Sequence, residues 1–237
     1  MPRQVRQIGK TGWAHIIFRG INRENLFYDE EDFGRFLSSI ARVQRETGCE
    51  IAAYCLMANH VHLLMYDENG AYGKIIKKML VSYSIYFNRK YDRVGHVFQD
   101  RFRSEPIDDK RYLLTVARYI YQNPQKAGVC PAGNYPYTFI QTAGILSGYF
   151  SVPEELRAYL ETENEDKCLE YDSTSSYTDS EAVEILFALI GNRNPQCLQS
   201  YERELRDEVI QELKRRGLTV RQISRLTGIN RNIIQRA

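Results

Sequence analysis

The chain lacks cysteines in paired motifs, which argues against a disulfide-rich protein. It also lacks long apolar runs, which argues against a membrane-spanning protein. Its five cysteines are scattered and form no Cys-x-x-Cys motif, which favours reduced thiols over a disulfide framework. No apolar run approaches the roughly 20 residues of a membrane-spanning helix. The N-terminal sequence also lacks the apolar segment of a secretory signal peptide. We therefore expect a cytoplasmic protein.

Histidine is scarce as well, and its placement is informative. Two of the four histidines, His60 and His62, stand in the sequence NHVHLL, which has the composition of a strand. Side chains two apart on a strand point to the same face. Two imidazoles on an apolar strand are costly unless something binds them. The spacing is compatible with a divalent metal site and also with a semi-buried, hydrogen-bonded histidine pair.

The net charge of +2 hides a strongly uneven distribution. Residues 1–150 carry 20 Lys and Arg against 14 Asp and Glu, and residues 201–237 carry 9 against 5. Residues 151–200 carry 3 against 11. Two basic ends therefore flank an acidic middle, which the near-neutral total conceals.

Hydrophobic periodicity predicts a β-α-β-β-α-(β)-α order in the first 145 residues. The elements expected are a strand over 13–21, a helix from Asp29 to Gly48, strands over 50–57 and 60–66, a helix over about 71–91, an irregular segment or short strand pair over 94–107, and a helix from Asp108-Asp109 to the residue before Pro124. Helices packed on an antiparallel sheet make a two-layer α+β domain.

The C-terminal part has a different character. Residues 146–180 are acidic and rich in Ser and Thr, which predicts a linker, and helical patterning resumes over 181–237. Thr219, Gly228 and Asn230 are spaced as the cap, turn and second cap of a helix-turn-helix. Basic residues that could contact DNA there are Arg221, Arg225 and Arg231. A helical hairpin used for dimerisation has the same pattern.

The third predicted helix offers residues that could complete a site around the histidines. Tyr119 and Asn123 are four apart and so share one helical face. An amide oxygen can bind Mg²⁺ or Mn²⁺, and a tyrosine can attack a phosphodiester and form a covalent ester. Spacing alone fits equally a tyrosine that only packs.

Three blocks of sequence resemble one known family. Residues 57–64 (MANHVHLL) resemble the HUH motif of single-tyrosine (Y1) transposases. Residues 95–102 (GHVFQDRF) resemble a second block, and residues 119–128 (YIYQNPQKAG) resemble the tyrosine helix and the segment after it. The blocks occur in the family's order. The resemblance is to IS200-like and REP-associated tyrosine transposases and extends over residues 1 to about 140.

The resemblance implies a ferredoxin-like antiparallel sheet with helices on one face, in a domain over 1–145. It also implies a Mg²⁺- or Mn²⁺-dependent reaction on single-stranded or hairpin DNA. By position, His60, His62 and Asn123 match the metal ligands and Tyr119 the nucleophile that forms a 5′-phosphotyrosine bond. Basic residues near these blocks, which could follow the DNA backbone or simply be solvated, are Arg101, Arg103, Lys110, Arg111 and Arg118.

Departures from the family and rival functions stay open at this point. Ala58 stands where these sequences often have an acidic residue, and residues 135–138 (YPYT) replace a usual Trp-Ser-Ser-like block. The small all-α helix-turn-helix domain over 181–237 is an addition, with duplex DNA as its candidate partner. The resemblance is compatible with a homodimer or a monomer. The rivals are a domesticated, non-catalytic DNA-binding protein, a rolling-circle nickase and a metal-dependent phosphohydrolase.

Overall fold

A computed structural model describes residues 9–141, 150, 152–170 and 177–237. The chain divides into two compact units, Met1–Glu170 and Tyr171–Ala237. Among the described residues, none of the helices combines the length and apolar character needed to cross a membrane. Each unit is described by itself.

The first unit is built on a five-stranded antiparallel sheet. Its strands lie in the order β4-β1-β3-β2-β5, so the histidine strand β3 is central. Their bounds are β1 Trp13–Arg19, β2 Glu50–Met57, β3 His60–Tyr66, β4 Arg103–Ile107 and β5 Thr138–Ile140. The helices of this unit are α1 Glu30–Thr47, α2 Tyr72–Lys90, α3 Lys110–Lys126 and α4 Pro153–Glu161. Ala58 and Asn59 form the tight connection predicted between β2 and β3.

The order β1-α1-β2-β3-α2-β4 with β1 between β4 and β3 is the ferredoxin-like topology. The α+β prediction is therefore confirmed. Helix α1 begins and ends where its sequence signals stand: the Asp29 side chain accepts a hydrogen bond from the Asp32 amide, and Gly48 closes the helix at φ 72°. Of the segment 94–107, only the last five residues form a strand, and Gly20 and Phe98 make an isolated bridge.

The helices lie on both faces of the sheet, and the expectation of helices on one face needs this correction. Val61, Leu63 and Met65 of β3 pack in the core with α1 and α2. Leu64, on the opposite face, packs with Val116 of α3 and with α4. Strand β3 is apolar on both faces, and so a second helical layer is required to bury it.

Helix α3 does not stop before Pro124, contrary to the prediction, and continues to Lys126. Proline lacks an amide N–H and so removes one hydrogen bond from the helix, at a cost of about 3 kcal/mol. Pro124 is itself buried, and the amide of Ala127 still donates to the carbonyl oxygen of Asn123 at 3.0 Å. The apolar face that α3 buries against the sheet offsets the loss.

Part of the predicted linker over 146–180 is instead folded onto the first unit. Leu156 and Leu160 of α4 are 1% and 4% exposed and pack in the core beside α3. The side-chain amide of Gln122 donates to the carbonyl oxygens of Leu160 (2.7 Å) and Thr162 (2.9 Å). Two leucines four apart give this acidic segment one apolar face, and that face is sufficient for docking. Residues 146–149, 151 and 171–176 of the predicted linker lie outside the described residues.

The second unit contains α5 Asp179–Ile190, α6 Arg203–Arg215, α7 Val220–Thr227 and α8 Arg231–Arg236. The predicted cap residues occupy their places: Thr219 accepts from the Gln222 amide, Gly228 closes α7 at φ 74°, and Asn230 accepts from the Asn232 amide. Ile229 is buried in the turn. Helices α7 and α8 are thus joined by the short turn that the sequence indicates.

Candidate active site

The two histidines of β3 point to the face of the sheet that α3 covers. His60 lies opposite Arg19 of β1 and Met57 of β2, and His62 lies opposite Ile17 and Cys55. The centroids of the two imidazole rings are 5.1 Å apart, and the ring planes are nearly perpendicular. Since β3 is paired on both edges, the backbone of this pair is held by the sheet.

Helix α3 places Asn123 and Tyr119 against the histidines. The Nε2 atom of His60 lies 3.2 Å from Oδ1 of Asn123, and Nε2 of His62 lies 3.4 Å from Nδ2 of the same amide. The ring of Tyr119 meets the His62 ring edge to face, with 5.6 Å between centroids. Tyr119 and Asn123 are 3% and 5% exposed. The structure therefore brings together the four residues that the sequence singled out.

Hydrogen bonding around His60 identifies the nitrogen that carries its proton. The side-chain amide nitrogen of Asn59 donates to the carbonyl oxygen of Arg23 at 3.3 Å, so the Asn59 oxygen faces Nδ1 of His60, 2.7 Å away. Nδ1 of His60 is then the donor and Nε2 has a bare lone pair. With Asn123 oriented as described, that lone pair faces another acceptor, Oδ1. A cation at this position would satisfy both atoms.

The histidines of the site are held neutral. The pKa of His60 is lowered to about 4, chiefly by burial and also by the positive charge of Arg19. Burial also lowers the pKa of His62 well below its ordinary value, as do the neighbouring His60, His15 and Arg19. Neutral imidazoles are the form that binds a metal ion.

The donor set of the site is two imidazole nitrogens and one amide oxygen. This set fits a divalent ion such as Mg²⁺ or Mn²⁺, with further positions open to water and substrate. Across the described ranges, no three His, Cys, Asp or Glu side chains are grouped so that they could hold a metal ion. Asn123 is accordingly the side chain of this site that could supply the third donor.

Two residues of the site were missed by the sequence reasoning. The Tyr119 hydroxyl donates a hydrogen bond to the carboxylate of Glu170, whose pKa is raised by burial. Fully buried His15 of β1 lies beside His62, with its Nε2 atom 3.0 Å from Nδ1 of His62. The signal for His15 was an inward position on the first predicted strand. No local pattern marks Glu170, because its contact depends on the path of the chain after α4.

The basic residues predicted near the site are placed differently from one another. Lys110 and Arg111 are exposed in the first turn of α3, and Arg103 donates to the backbone oxygen of Glu170 at 3.0 Å. Arg118 is bound to Asp166 at 2.7 Å and lies over the ring of Tyr159. Its guanidinium is therefore engaged by the acidic segment.

One predicted residue lies elsewhere. Arg101 and His96 line a cavity of about 810 Å³ together with Lys77 of α2. Helix α2 covers the face of the sheet opposite to α3. Arg101 and His96 are therefore not placed with the site formed by His60, His62, Tyr119 and Asn123.

In the second unit, Arg221 is exposed in the first turn of α7, and Arg231 is exposed at the first position of α8. Arg225 is also on α7, where it forms an ion pair with the carboxylate of Asp179. Two of the three predicted arginines are therefore exposed, each at the start of its helix, and the third is paired within the unit.

The model of the family described as transposase IS200-like matches residues 10–123. Over these residues the chain is similar to the IS200-like transposase family. The matched segment contains His60, His62, Tyr119 and Asn123, and it ends at the last of them. The second unit lies outside the match.

A solved structure similar to this chain is a REP-associated tyrosine transposase bound to a REP hairpin. The identity is 21%, the TM-score is 0.47, and the match covers 58% of this chain and 82% of that chain. A search of curated proteins gives no significant match.

Proposed function

We propose that the first unit cuts and rejoins single-stranded DNA through a covalent bond between Tyr119 and a 5′-phosphate. His60, His62 and Asn123 would hold the Mg²⁺ or Mn²⁺ ion that this reaction requires. The observation that carries the proposal is the convergence of both histidine Nε2 atoms on the amide of Asn123, one helical turn from Tyr119. The similarity of residues 10–123 to a transposase family supports it.

The reaction follows from the position of the Tyr119 oxygen. That oxygen attacks the scissile phosphorus and passes its proton to the Glu170 carboxylate, an O–P bond to tyrosine forms, and the bond to the 3′ oxygen breaks. The 3′ oxygen takes up a proton from water and leaves as a hydroxyl. The phosphodiester energy is retained in the tyrosine ester, and a second 3′-hydroxyl can reverse the attack and join strands. Lys126, with Nζ 4.8 Å from the centroid of the Tyr119 ring, adds positive charge near the developing phenolate.

The other groups of the site would polarise the phosphate, accept the tyrosine proton and hold the DNA backbone. A bound divalent ion supplies Lewis-acid polarisation of the phosphate. The hydroxyl proton of Tyr119 is already directed at the Glu170 carboxylate. Lys110 and Arg111, exposed at the first turn of the same helix, are placed to follow a DNA backbone.

A DNA hairpin is the substrate we propose for this unit, because the similar solved structure is of a transposase bound to a REP hairpin. We propose a separate role for the second unit. Arg221 is exposed at the start of α7 and Arg231 at the start of α8, two helices joined by a short turn as in a helix-turn-helix that reads duplex DNA. The two units would then bind different forms of DNA.

The test is a covalent trapping experiment. Labelled single-stranded hairpins from the sequence that flanks the gene are incubated with the full chain and Mg²⁺ or Mn²⁺, and SDS-resistant adducts are resolved on a gel. We expect an adduct with wild type and with Tyr121→Phe, a half-buried tyrosine on the same helix. We expect none with Tyr119→Phe or after chelation.

The other outcomes identify the rival functions. Tight binding without an adduct, over several hairpins and both ions, indicates a non-catalytic DNA-binding protein. Cleavage that persists in Tyr119→Phe indicates a phosphohydrolase. An adduct that forms but never transfers to a second 3′-hydroxyl indicates a nickase without strand joining.

A further inference from the structure

A third histidine, His15, lies behind the histidine pair. It is on β1, its side chain is completely buried, and its ring stacks against the ring of His62 with 5.3 Å between centroids. Its Nε2 atom is 3.0 Å from Nδ1 of His62. The contact is on the side of the His62 ring opposite to Nε2, the atom that faces Asn123.

The chemistry of metal binding determines what this contact can do. A neutral imidazole carries one proton, and a ring that binds an ion through Nε2 must carry that proton on Nδ1. In a buried site, an Nδ1–H without an acceptor costs about 1–3 kcal/mol. His15 Nε2 lies at hydrogen-bond distance for this acceptor role.

The neighbouring histidine has a matching arrangement. Nδ1 of His60 is held by the Asn59 oxygen at 2.7 Å, and its Nε2 faces Oδ1 of Asn123. Each histidine of the pair therefore has a polar partner on Nδ1, and each directs Nε2 to the same amide. The partner of His60, Asn59, is its neighbour in the sequence, whereas the partner of His62, His15, lies on a different strand.

The rest of the His15 side chain argues against a purely structural role. When Nε2 accepts, the proton of neutral His15 is on Nδ1, and that atom is buried and has no hydrogen-bond partner among the described residues. A buried polar atom without a partner destabilises the fold, and an apolar side chain at this position would avoid that cost. The described contact that uses the polarity of His15 is the one with His62.

We propose that His15 is a positioning residue that holds His62 with its Nδ1 protonated and its Nε2 bare toward the metal ion. This inference rests on the proposed metal site and goes beyond it, because His15 belongs neither to the ligand set nor to the nucleophile. The partners of the metal ligands commonly contribute 10–100-fold in metal affinity.

The test measures metal binding without any DNA reaction. Binding of Mn²⁺ to the full chain is followed by calorimetry for wild type, His15→Leu and His15→Gln, with exposed His96→Leu as the control. Glutamine can place an acceptor oxygen where His15 has Nε2, and leucine cannot. We expect binding 10–100-fold weaker in His15→Leu, within about threefold of wild type in His15→Gln, and unchanged in His96→Leu.

A spectroscopic measurement on wild type covers the case in which His15→Leu fails to fold. In the Mg²⁺-loaded protein labelled with ¹⁵N-histidine, we expect His62 to show a protonated Nδ1 coupled to its hydrogen and an unprotonated Nε2. A His62 protonated on Nε2 in the loaded protein would overturn the inference. So would equal metal affinity in wild type and His15→Leu, or equal loss in the leucine and glutamine variants.

The two proposals can fail separately. Metal binding that depends on His15, in a protein that forms no adduct at Tyr119, overturns the proposed reaction and leaves the positioning role intact. An adduct that forms normally in His15→Leu, with unchanged metal affinity, overturns the positioning role alone. A wild-type protein that binds no Mn²⁺ overturns both.

Discussion

The hydroxyl of Tyr119 donates a hydrogen bond to the carboxylate of Glu170, the last residue of the first compact unit. A scissile phosphate must come within about 3–3.5 Å of the same hydroxyl oxygen before it can be attacked. The negatively charged carboxylate of Glu170 therefore lies where the negatively charged scissile phosphate has to bind.

The first prediction concerns this charge. Glu170→Gln removes the repulsion between the carboxylate and the incoming phosphate, so we expect hairpin DNA to bind about fivefold more tightly, equivalent to about 1 kcal/mol. Fluorescence anisotropy in the presence of chelator measures binding without cleavage. The difference should shrink as salt is added.

Glu68→Gln is the matched control. Glu68 is exposed and follows the end of β3 opposite to His60, so its replacement should leave the dissociation constant unchanged. Equal or weaker DNA binding by Glu170→Gln would show that the carboxylate does not oppose the phosphate.

The second prediction concerns pH and the stability of the metal-free protein. The pKa values of His15 and His60 are lowered by burial to about 3 and about 4, from the ordinary 6.5. Below pH 6.5 these histidines become protonated in the unfolded chain but stay neutral in the folded protein. Their contribution to the free energy of unfolding is therefore complete above pH 6.5 and is lost as the pH falls toward the folded pKa values. We expect the free energy of unfolding to fall by about 1 kcal/mol per pH unit for each histidine.

Urea unfolding in the presence of chelator between pH 7 and pH 5 measures this slope. His15→Gln should reduce the slope by about one histidine's share, because glutamine does not titrate. His96→Gln should leave it unchanged, since that side chain is exposed. A flat stability profile over this range would contradict the burial of neutral histidines.

The third prediction concerns the helix that follows the acidic stretch. Leu156 is 1% exposed in the core between α4 and α3, and Leu156→Ala should lower the free energy of unfolding of the first unit by about 2–5 kcal/mol. Thermal and urea unfolding of the full chain measure the loss. Arg157→Ala, on the solvent side of the same helix, should change stability by less than about 0.5 kcal/mol. Similar small effects of both variants would indicate that α4 is not part of the fold.

The fourth prediction separates the second unit from the first. Replacing Arg221 and Arg231 by Gln should weaken duplex binding and lower the magnitude of the salt slope by about two, one for each lost phosphate contact. Arg203→Gln, at an exposed arginine on α6, is the control and should lower the salt slope by less than the double variant does. Adduct formation on a single-stranded hairpin should be unaffected. Unchanged duplex binding in the double variant would favour the helical hairpin without DNA contact.

The sequence predicted those parts of the site that depend on local spacing. His60 and His62 share a face because strands repeat every two residues, and Tyr119 and Asn123 share a face because they are four apart on a helix. Both relations are independent of the rest of the fold, and the structure has both. The placement of the two pairs against each other came from the family resemblance.

The residues that were missed depend on long-range pairing. His15 meets His62 only because β1 pairs with β3 in a register that places Ile17 opposite His62. Glu170 reaches Tyr119 only after the chain has passed through α4. Neither contact leaves a periodic pattern. The continuation of α3 through Pro124 was missed for the related reason that tertiary burial outweighs a local propensity.

The central position of β3 has a consequence for how the site can move. Both edges of this strand are paired and both faces are covered, so exchange of its amide hydrogens with solvent requires unfolding of the whole sheet. Tyr119 is carried instead by the outer helical layer, which is covered by α4. We therefore expect any movement that admits DNA to occur in α3 and α4, while β3 and its two histidines stay in place.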